Sequence, residues 1–386
     1  MTGPASSTRI GWIVALASLV LVLDDWAQNL LLPLIPMWRH GLGWQGWQIG
    51  TVLGAESAVV VWASPLVGHY LREPRTARTL ATIALGIFGV ALVVYGHAQA
   101  YGWWVAARLM QGAAVAASFP AIFVWASHLL PVPDRERRLQ TINVVTAGGA
   151  LGTPLVSGVV LQLLGRSDAF WVMAGLVVGL MGAFLLTPMA QGSVAAPTSR
   201  PVGIPPQVGL MWGMVALVML GVGLLQTALP LAVAVPLQWS PLAIGLFFFV
   251  LGIVFVAPQA FLRQGGRRQA LLVLAMGVAL MTVLPIVSGW VRAGVAVGTT
   301  FSFVPAFAWA LRAASTGSRA GAGFGWFESG IATGLLTGTT MGGVLWSWGG
   351  ALATFGIGAL ILAGGIGVLA GWPSRTTNAK KETQMP

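Results

Sequence analysis

The chain has 386 residues, 56% of them hydrophobic and only 8% charged, with a mean hydropathy of +0.84 and a formal net charge of +11. So small a charged fraction excludes an ordinary soluble domain, in which about a quarter of residues are charged. The absence of cysteine excludes a disulfide framework and a thiolate metal site, and the four histidines, His40, His69, His97 and His128, are too scattered to form a metal centre.

Apolar runs of membrane length follow one another along the chain. They cover 10–36, 45–70, 79–98, 101–130, 139–164 and 169–188, then 208–235, 241–262, 269–290, 293–314, 321–346 and 351–371. With the N-terminus inside, sixteen of the twenty Lys and Arg side chains fall on the inner side; Arg39, Arg166 and Arg292 fall outside, and Arg108 lies within a helix. This bias predicts an all-α integral membrane protein of twelve transmembrane helices with both termini cytoplasmic. The compact loops suit a bacterial inner membrane. Topology, rather than nucleic acid, accounts for the basic balance. The first helix shows no small-residue cleavage pattern and is expected to be retained. The expected partners are the lipid bilayer, a small-molecule substrate and protons, with no cofactor, no metal, and a monomeric chain.

The first helix holds two adjacent carboxylates, Asp24 and Asp25. Asp24 lies about 21 Å beyond Ile10 at about 1.5 Å per residue, deep in a core about 30 Å thick. Ionisable side chains at that depth are costly and mark ion or substrate pathways. The i,i+4 rule places Gln28 beneath Asp24 and Asn29 beneath Asp25. The second helix carries Glu56 near the same depth as Asp24, and the fourth carries Arg108 somewhat nearer the outer end, on a side chain long enough to span the difference. A carboxylate in low dielectric tends to take a proton, while a nearby cation favours its charged form. An arginine that approaches or leaves these acids would therefore change their proton affinity. Glu328, on the eleventh helix, either faces Glu56 across the molecule or is satisfied within its own bundle.

The second helix opens with Trp44-x-x-x-x-Ile49-Gly50 and the eighth with Trp239-x-x-x-x-Ile244-Gly245, at an offset of 195. The fifth and eleventh helices pair Gly149 with Gly334 and Gly158 with Gly343. These matches predict two six-helix pseudo-repeats, 1–190 and 208–386, joined by a cytoplasmic linker at 191–207 rich in Pro, Gly and Ser. Parallel repeats of this kind place a substrate site between the halves, near mid-membrane. Substrate contacts are expected from Trp26, Gln28, Asn29, Gln111, Asn143, Gln226, Phe301, Trp309 and Glu328. Trp12, Trp38, Trp44, Trp47, Trp103, Trp104, Trp239, Trp290 and Trp372 fall near helix ends, where an interfacial belt is the ordinary role.

With Leu23-Asp24 followed by Leu32-Pro33 and Pro36, and with Arg108-Leu-Met-Gln111-Gly112, the chain resembles the major facilitator superfamily. Within it, the similarity is to the twelve-helix drug/proton antiporters that include the tetracycline exporters. The fifth helix carries Gly148, Gly152, Pro154 and Gly158, similar to the antiporter signature with Thr153 inserted between glycine and proline. The loop motif appears as Gly68-His-Tyr-Leu-Arg72-Glu73, and its basic end recurs as Arg263, Arg267 and Arg268. The resemblance implies alternating access, a proton-coupling role for Arg108 alongside Asp24, Asp25 and Glu56, and conformational roles for the glycine and loop motifs. Gly148, Gly152 and Gly158 are expected to form a close-packing face. The function expected is a proton-coupled exporter of small amphipathic compounds, cationic or zwitterionic because acids outnumber bases. An importer or uniporter of the same fold, a lysolipid flippase and a binding-only sensor are the alternatives. Nothing resembles a hydrolytic triad or a nucleotide cradle, so no enzyme is expected.

Overall fold

In a computed structural model, residues 7–71, 74–131, 134–187, 206–260, 266–315 and 320–372 are described. They form α1 (Ser7–Asn29), α2 (Ile35–His40), α3 (Gly46–Tyr70), α4 (Pro74–His97), α5 (Tyr101–Leu129) and α6 (Arg135–Leu185). After the 188–205 segment come α7 (Pro206–Leu229), α8 (Pro241–Val256), α9 (Arg267–Met281), α10 (Gly289–Ser315), α11 (Ala320–Ala351) and α12 (Gly358–Gly371). The described residues contain no strand. Bilayer physics favours this outcome, because a helix satisfies its backbone hydrogen bonds internally. Among the described residues, eight helical stretches are long and apolar enough to span a membrane, and two of them, 137–185 and 326–371, run to 49 and 46 residues. Each of these two is about twice the length a single crossing needs.

The expected break between the fifth and sixth segments narrows to one residue. α6 runs for 51 residues, interrupted only at Gly165 with φ +74°, a conformation that glycine adopts without steric cost. Other breaks come from proline. α1 stops at Asn29 and resumes through a 3-10 turn, Leu32–Leu34, into α2. α7 gives way to a π turn, Pro230–Ala234. Proline has no N–H, so Pro33 and Pro230 cannot donate to the carbonyls four residues earlier.

Helices α1 and α3 to α6 pack on one another, α7 and α9 to α12 do likewise, and the two groups meet along α3–α11 and α6–α8. Both meetings are built on glycine. A Cβ on Gly46 would lie 2.7 Å from the Gly343 carbonyl oxygen, and Gly50 sits as closely against Thr339 and Gly343. Across α6–α8, a Cβ on Gly158 would lie 2.7 Å from the Pro241 carbonyl oxygen. Backbone thus touches backbone at the end of the bundle remote from the N-terminus, a closeness that only small residues permit. A second glycine face of α11, Gly330, Gly334 and Gly338, is filled by α7. Earlier in the same stretch of α6, Gly148 and Gly152 have open space about them. Their expected packing role is corrected: Gly149, against Val22, and Gly158 are the residues in close contact.

Toward the terminal end, each group carries an arginine clasp. Arg78, at the start of α4, donates to the Leu185 carbonyl at the end of α6. Arg267, at the start of α9, donates to the carbonyls of Leu369, Ala370 and Trp372 at the end of α12. A cation on a helix C-terminus satisfies orphan carbonyls and complements the helix dipole. Arg268 is exposed, Gly68 sits in the last turn of α3, and Arg72, Glu73 and Arg263 lie outside the described residues.

Two outcomes follow. Gly50→Leu should wedge α3 from α11 and raise the labelling rate of a Leu335→Cys thiol roughly tenfold, the response to about 1.4 kcal/mol of overpacking. An impermeant maleimide applied from the face remote from the termini reads this against a chain without native cysteine, and an unchanged rate would contradict the backbone seal. Arg267→Gln should cost about 1.5–3 kcal/mol of stability by removing charged hydrogen bonds, seen as a lower midpoint in a thermal unfolding assay.

Candidate functional site

The site grows from one buried ion pair. Arg108 of α5 is 2% exposed and Glu56 of α3 is 5% exposed, and Arg108 Nη1 pairs with Glu56 Oε2. Removing both charges from water costs several kcal/mol per ion, so the pair persists only if its remaining hydrogen-bonding atoms are well served. The same Nη1 donates to Gln111 Oε1 at 2.9 Å, one turn further along α5, and Nη2 donates to the Leu53 carbonyl at 3.3 Å. Tyr95 Oη of α4 also donates to Gln111 Oε1, at 3.0 Å. Gln28 Nε2 of α1 reaches Glu56 Oε1 at 3.4 Å. One continuous network therefore joins α4, α5, α3 and α1.

Sequence reasoning missed Tyr95. It is buried inside an aromatic cluster, stacked on Phe170 at 5.2 Å and close to Trp104 at 5.5 Å. Trp104 is in turn edge-on to Trp38 at 5.0 Å, with Arg166 lying 5.7 Å over its ring. Trp38, Trp44 and Trp104 thus form a buried lid over the network rather than part of an interfacial belt. Trp12, Trp47, Trp103 and Trp290 are exposed as a belt requires. The signal available was Tyr95 itself, one of only three tyrosines in the chain, sixteen residues before Gln111.

Asp24 and Asp25 are half-buried on α1, and neither carboxylate forms a hydrogen bond or ion pair with the described residues. Asp24 lies within electrostatic reach of Asp25, Glu56 and Arg108, and Asp25 within reach of Glu56 and Glu328. Glu328, half-buried on α11, comes from the other helix group. Glu56 turns to Arg108 of its own group rather than toward Glu328, so bundle-internal satisfaction is the alternative realised for Glu56. Of these four carboxylates, Arg108 pairs with Glu56 and lies within electrostatic reach of Asp24. Asn29 donates to the Asp25 carbonyl and to Thr153 Oγ1, both at 2.9 Å. Thr153, which interrupts the family-like motif, is thus the tie between α1 and α6.

Between the two helix groups lies a cavity of about 20 Å³, room for roughly one water molecule. Its polar wall comes from Gln28, Asn29, Ser57, Arg108, Gln226 and Thr339. Leu32, Leu53 and Leu335 supply the apolar wall. Of the expected substrate contacts, Gln28, Asn29 and Gln226 meet here, with Gln111 one hydrogen bond behind Arg108. Trp26 and Trp309 pack against the core, and the Trp26 indole nitrogen has no partner. Phe301 is 50% exposed on the face of α10 that carries Trp290, so it points away from the cavity. Its expected place in the site is corrected: helical rotation, not depth, decided it. The Asn143 side chain lies outside the described residues. No group of three or more potential metal ligands occurs among the described residues.

A sequence profile of the Major Facilitator Superfamily matches residues 14–289. A stretch of 162 residues, 41% of this chain, is 28% identical to the vesicular acetylcholine transporter of Mus musculus and spans about 30% of that relative's length. Among solved structures, a bacterial homolog of the human lysosomal transporter Spinster, inward-facing and occupied, superposes with a TM-score of 0.75 at 10% identity. That superposition covers 96% of this chain and 98% of the other. The nucleoside transporter NupG gives 0.71 at 13% identity over 94% of this chain and 100% of its own. At these identities the structural likeness concerns the fold.

Arg108→Ala would strand the Glu56 carboxylate and should cost about 3–5 kcal/mol. Adding Glu56→Ala to it should recover a large part of that loss. A double-mutant cycle of thermal midpoints checks the coupling, and strictly additive losses would mean that the pair is not a unit.

Proposed function

The chain belongs to the major facilitator superfamily, and from that premise we propose that it is a proton-coupled secondary exporter of small amphipathic cations, working by alternating access. The observation that carries this reading is the pair of half-buried, unpaired carboxylates, Asp24 and Asp25, beside a fully buried Glu56–Arg108 pair at a cavity between two helix groups. Intramembrane acids of this kind serve proton relays and cation paths far more often than packing. The vesicular acetylcholine transporter, named for a cationic cargo, supports the sign of the charge carried.

In this reading the helix groups α1–α6 and α7–α12 rock as two bodies about the cavity, joined by the cytoplasmic segment at 191–207. With the termini cytoplasmic, the glycine-sealed end is the outer one, and the described conformation is closed to the outside. Proton uptake from outside neutralises Asp24 or Glu56, releases Arg108 from its counter-ion, and lowers the affinity of the site for a cation. Return to the inner side reverses the sequence: the proton leaves, the acids regain charge, and cargo is drawn in. Binding of proton and of cargo are thereby opposed, which is what coupling requires. The protein works alone in the bilayer and carries out no covalent chemistry.

Flux of candidate cations in proteoliposomes under an imposed pH gradient tests the proposal. Asp24→Asn should abolish uphill, gradient-driven movement while leaving downhill leak. Pumping unchanged by that substitution would refute the assignment, and downhill flux indifferent to the gradient in the parent chain would make it a uniporter.

A further inference from the structure

The two proline breaks fall at matching places in the two halves. Asn29-Leu-Leu-Leu-Pro33-Leu in the first is echoed by Gln226-Thr-Ala-Leu-Pro230-Leu in the second, at an offset of 197. The residue four before each proline is the one whose carbonyl the proline cannot serve. Those residues are Asn29 and Gln226, and both line the central cavity. Two backbone carbonyls deprived of their ordinary helical donor, one from each half, thus accompany two amide side chains at the same small space.

Apart from Arg108, whose guanidinium is turned to Glu56, Gln111 and Leu53, the other polar side chains of the wall keep acceptor capacity. The Asn29 side chain spends its donor on the Asp25 carbonyl and Thr153, which leaves its oxygen as an acceptor. Gln28 likewise spends its donor on Glu56. Thr339 donates to the Leu335 carbonyl and keeps acceptor capacity. No aromatic ring lines the cavity. A quaternary ammonium offers no N–H and is held chiefly by aromatic faces. Beside Arg108, which Glu56 neutralises, this wall offers the oxygens of Gln28, Asn29, Ser57, Gln226 and Thr339 instead.

Building on the exporter reading, we propose that the paired Asn29 and Gln226 positions form an acceptor ring that selects cargo bearing an N–H donor, a protonated amine, over its fully methylated quaternary counterpart. The two halves supply equivalent acceptors, so the head group sits on the pseudo-twofold axis and keeps its contacts as the halves rock. Carboxylates nearby supply the charge attraction; the ring supplies the discrimination. A site built to satisfy hydrogen-bonding atoms rejects an analogue that lacks them, because its own buried polar groups are then left unpaired.

The probes are 2-phenylethylamine and its N,N,N-trimethyl derivative, with binding to the purified full chain measured by scintillation proximity. The amine is expected to bind about tenfold or more tighter, the effect of one good hydrogen bond. Gln226→Leu removes an amide, and Pro33→Ala returns a backbone donor to Asn29; each should shrink the ratio to about threefold or less. The ratio, rather than the affinity, is the readout, so a variant that folds in reduced yield still reports. Equal binding, preference for the quaternary probe, a ratio untouched by both substitutions, or no binding of either probe overturns the ring. Gradient-driven flux of both probes separates the two readings. A quaternary probe pumped as well as the amine leaves the exporter standing without the ring, and amine-selective binding without gradient-driven flux leaves the ring standing without the pump.

Discussion

The buried pairing of Arg108 with Glu56 is the interaction on which the arrangement of the first half rests. A guanidinium at 2% exposure cannot shed its charge and cannot stand alone in an apolar interior. Its neighbours are therefore conscripted: Gln111 shares the Nη1 that pairs with Glu56, the Leu53 carbonyl accepts from Nη2, Tyr95 shares Gln111, and Gln28 reaches over to Glu56, while Nε is left without a partner. The aromatic lid of Trp38, Trp44, Trp104 and Phe170 then keeps water from the network and strengthens each contact within it. The second half has no counterpart to this pair in its sequence: the offset of 195 that aligns α3 with α8 puts Leu251 opposite Glu56. One half is electrostatically committed, while the other shapes a surface for it to move against.

Much of this was legible beforehand, for a definite reason. Depth along a membrane helix is arithmetic, so the sequence alone puts Asp24 and Glu56 at one level with Arg108 somewhat above it, and the structure brings Arg108 onto Glu56. Rotation about the helix axis is less legible in a chain whose faces are all apolar. Phe301 has the right depth and the wrong azimuth, and Trp38, Trp44 and Trp104 sit at helix ends yet turn inward. Thr153 reads as a flaw in a motif until Asn29 is seen to bind it. Tyr95 carries no motif at all, and only its contact with Gln111 gives it meaning. The segment boundaries depart at the joints: Gly165 replaces one expected loop, the eleventh and twelfth segments run together through a kink at Gly349 and Gly350, and α9 stops at Met281, short of the expected 290.

The repeat is more informative than any single motif. Asn29 and Gln226 share neither identity nor charge with the celebrated acids, but they share a distance to a proline, and that distance determines which carbonyl each helix gives up. Arg78 and Arg267 repeat in the same manner, each fastening the first turn of one peripheral helix to the last turn of another. In both cases what recurs is a backbone consequence rather than a side-chain alphabet, so letter-by-letter comparison of the halves passes over it.

The glycine contacts between α3 and α11 join peptide to peptide, with no titratable group at the joint. Such a closure is indifferent to acidity and to salt; it can hold a gate shut but cannot know when to release it. The carboxylates of α1, α3 and α11 lie elsewhere than this seal. A designer could therefore edit the carboxylates without touching the glycine joint, or part the joint with one added methyl group while leaving the acids in place.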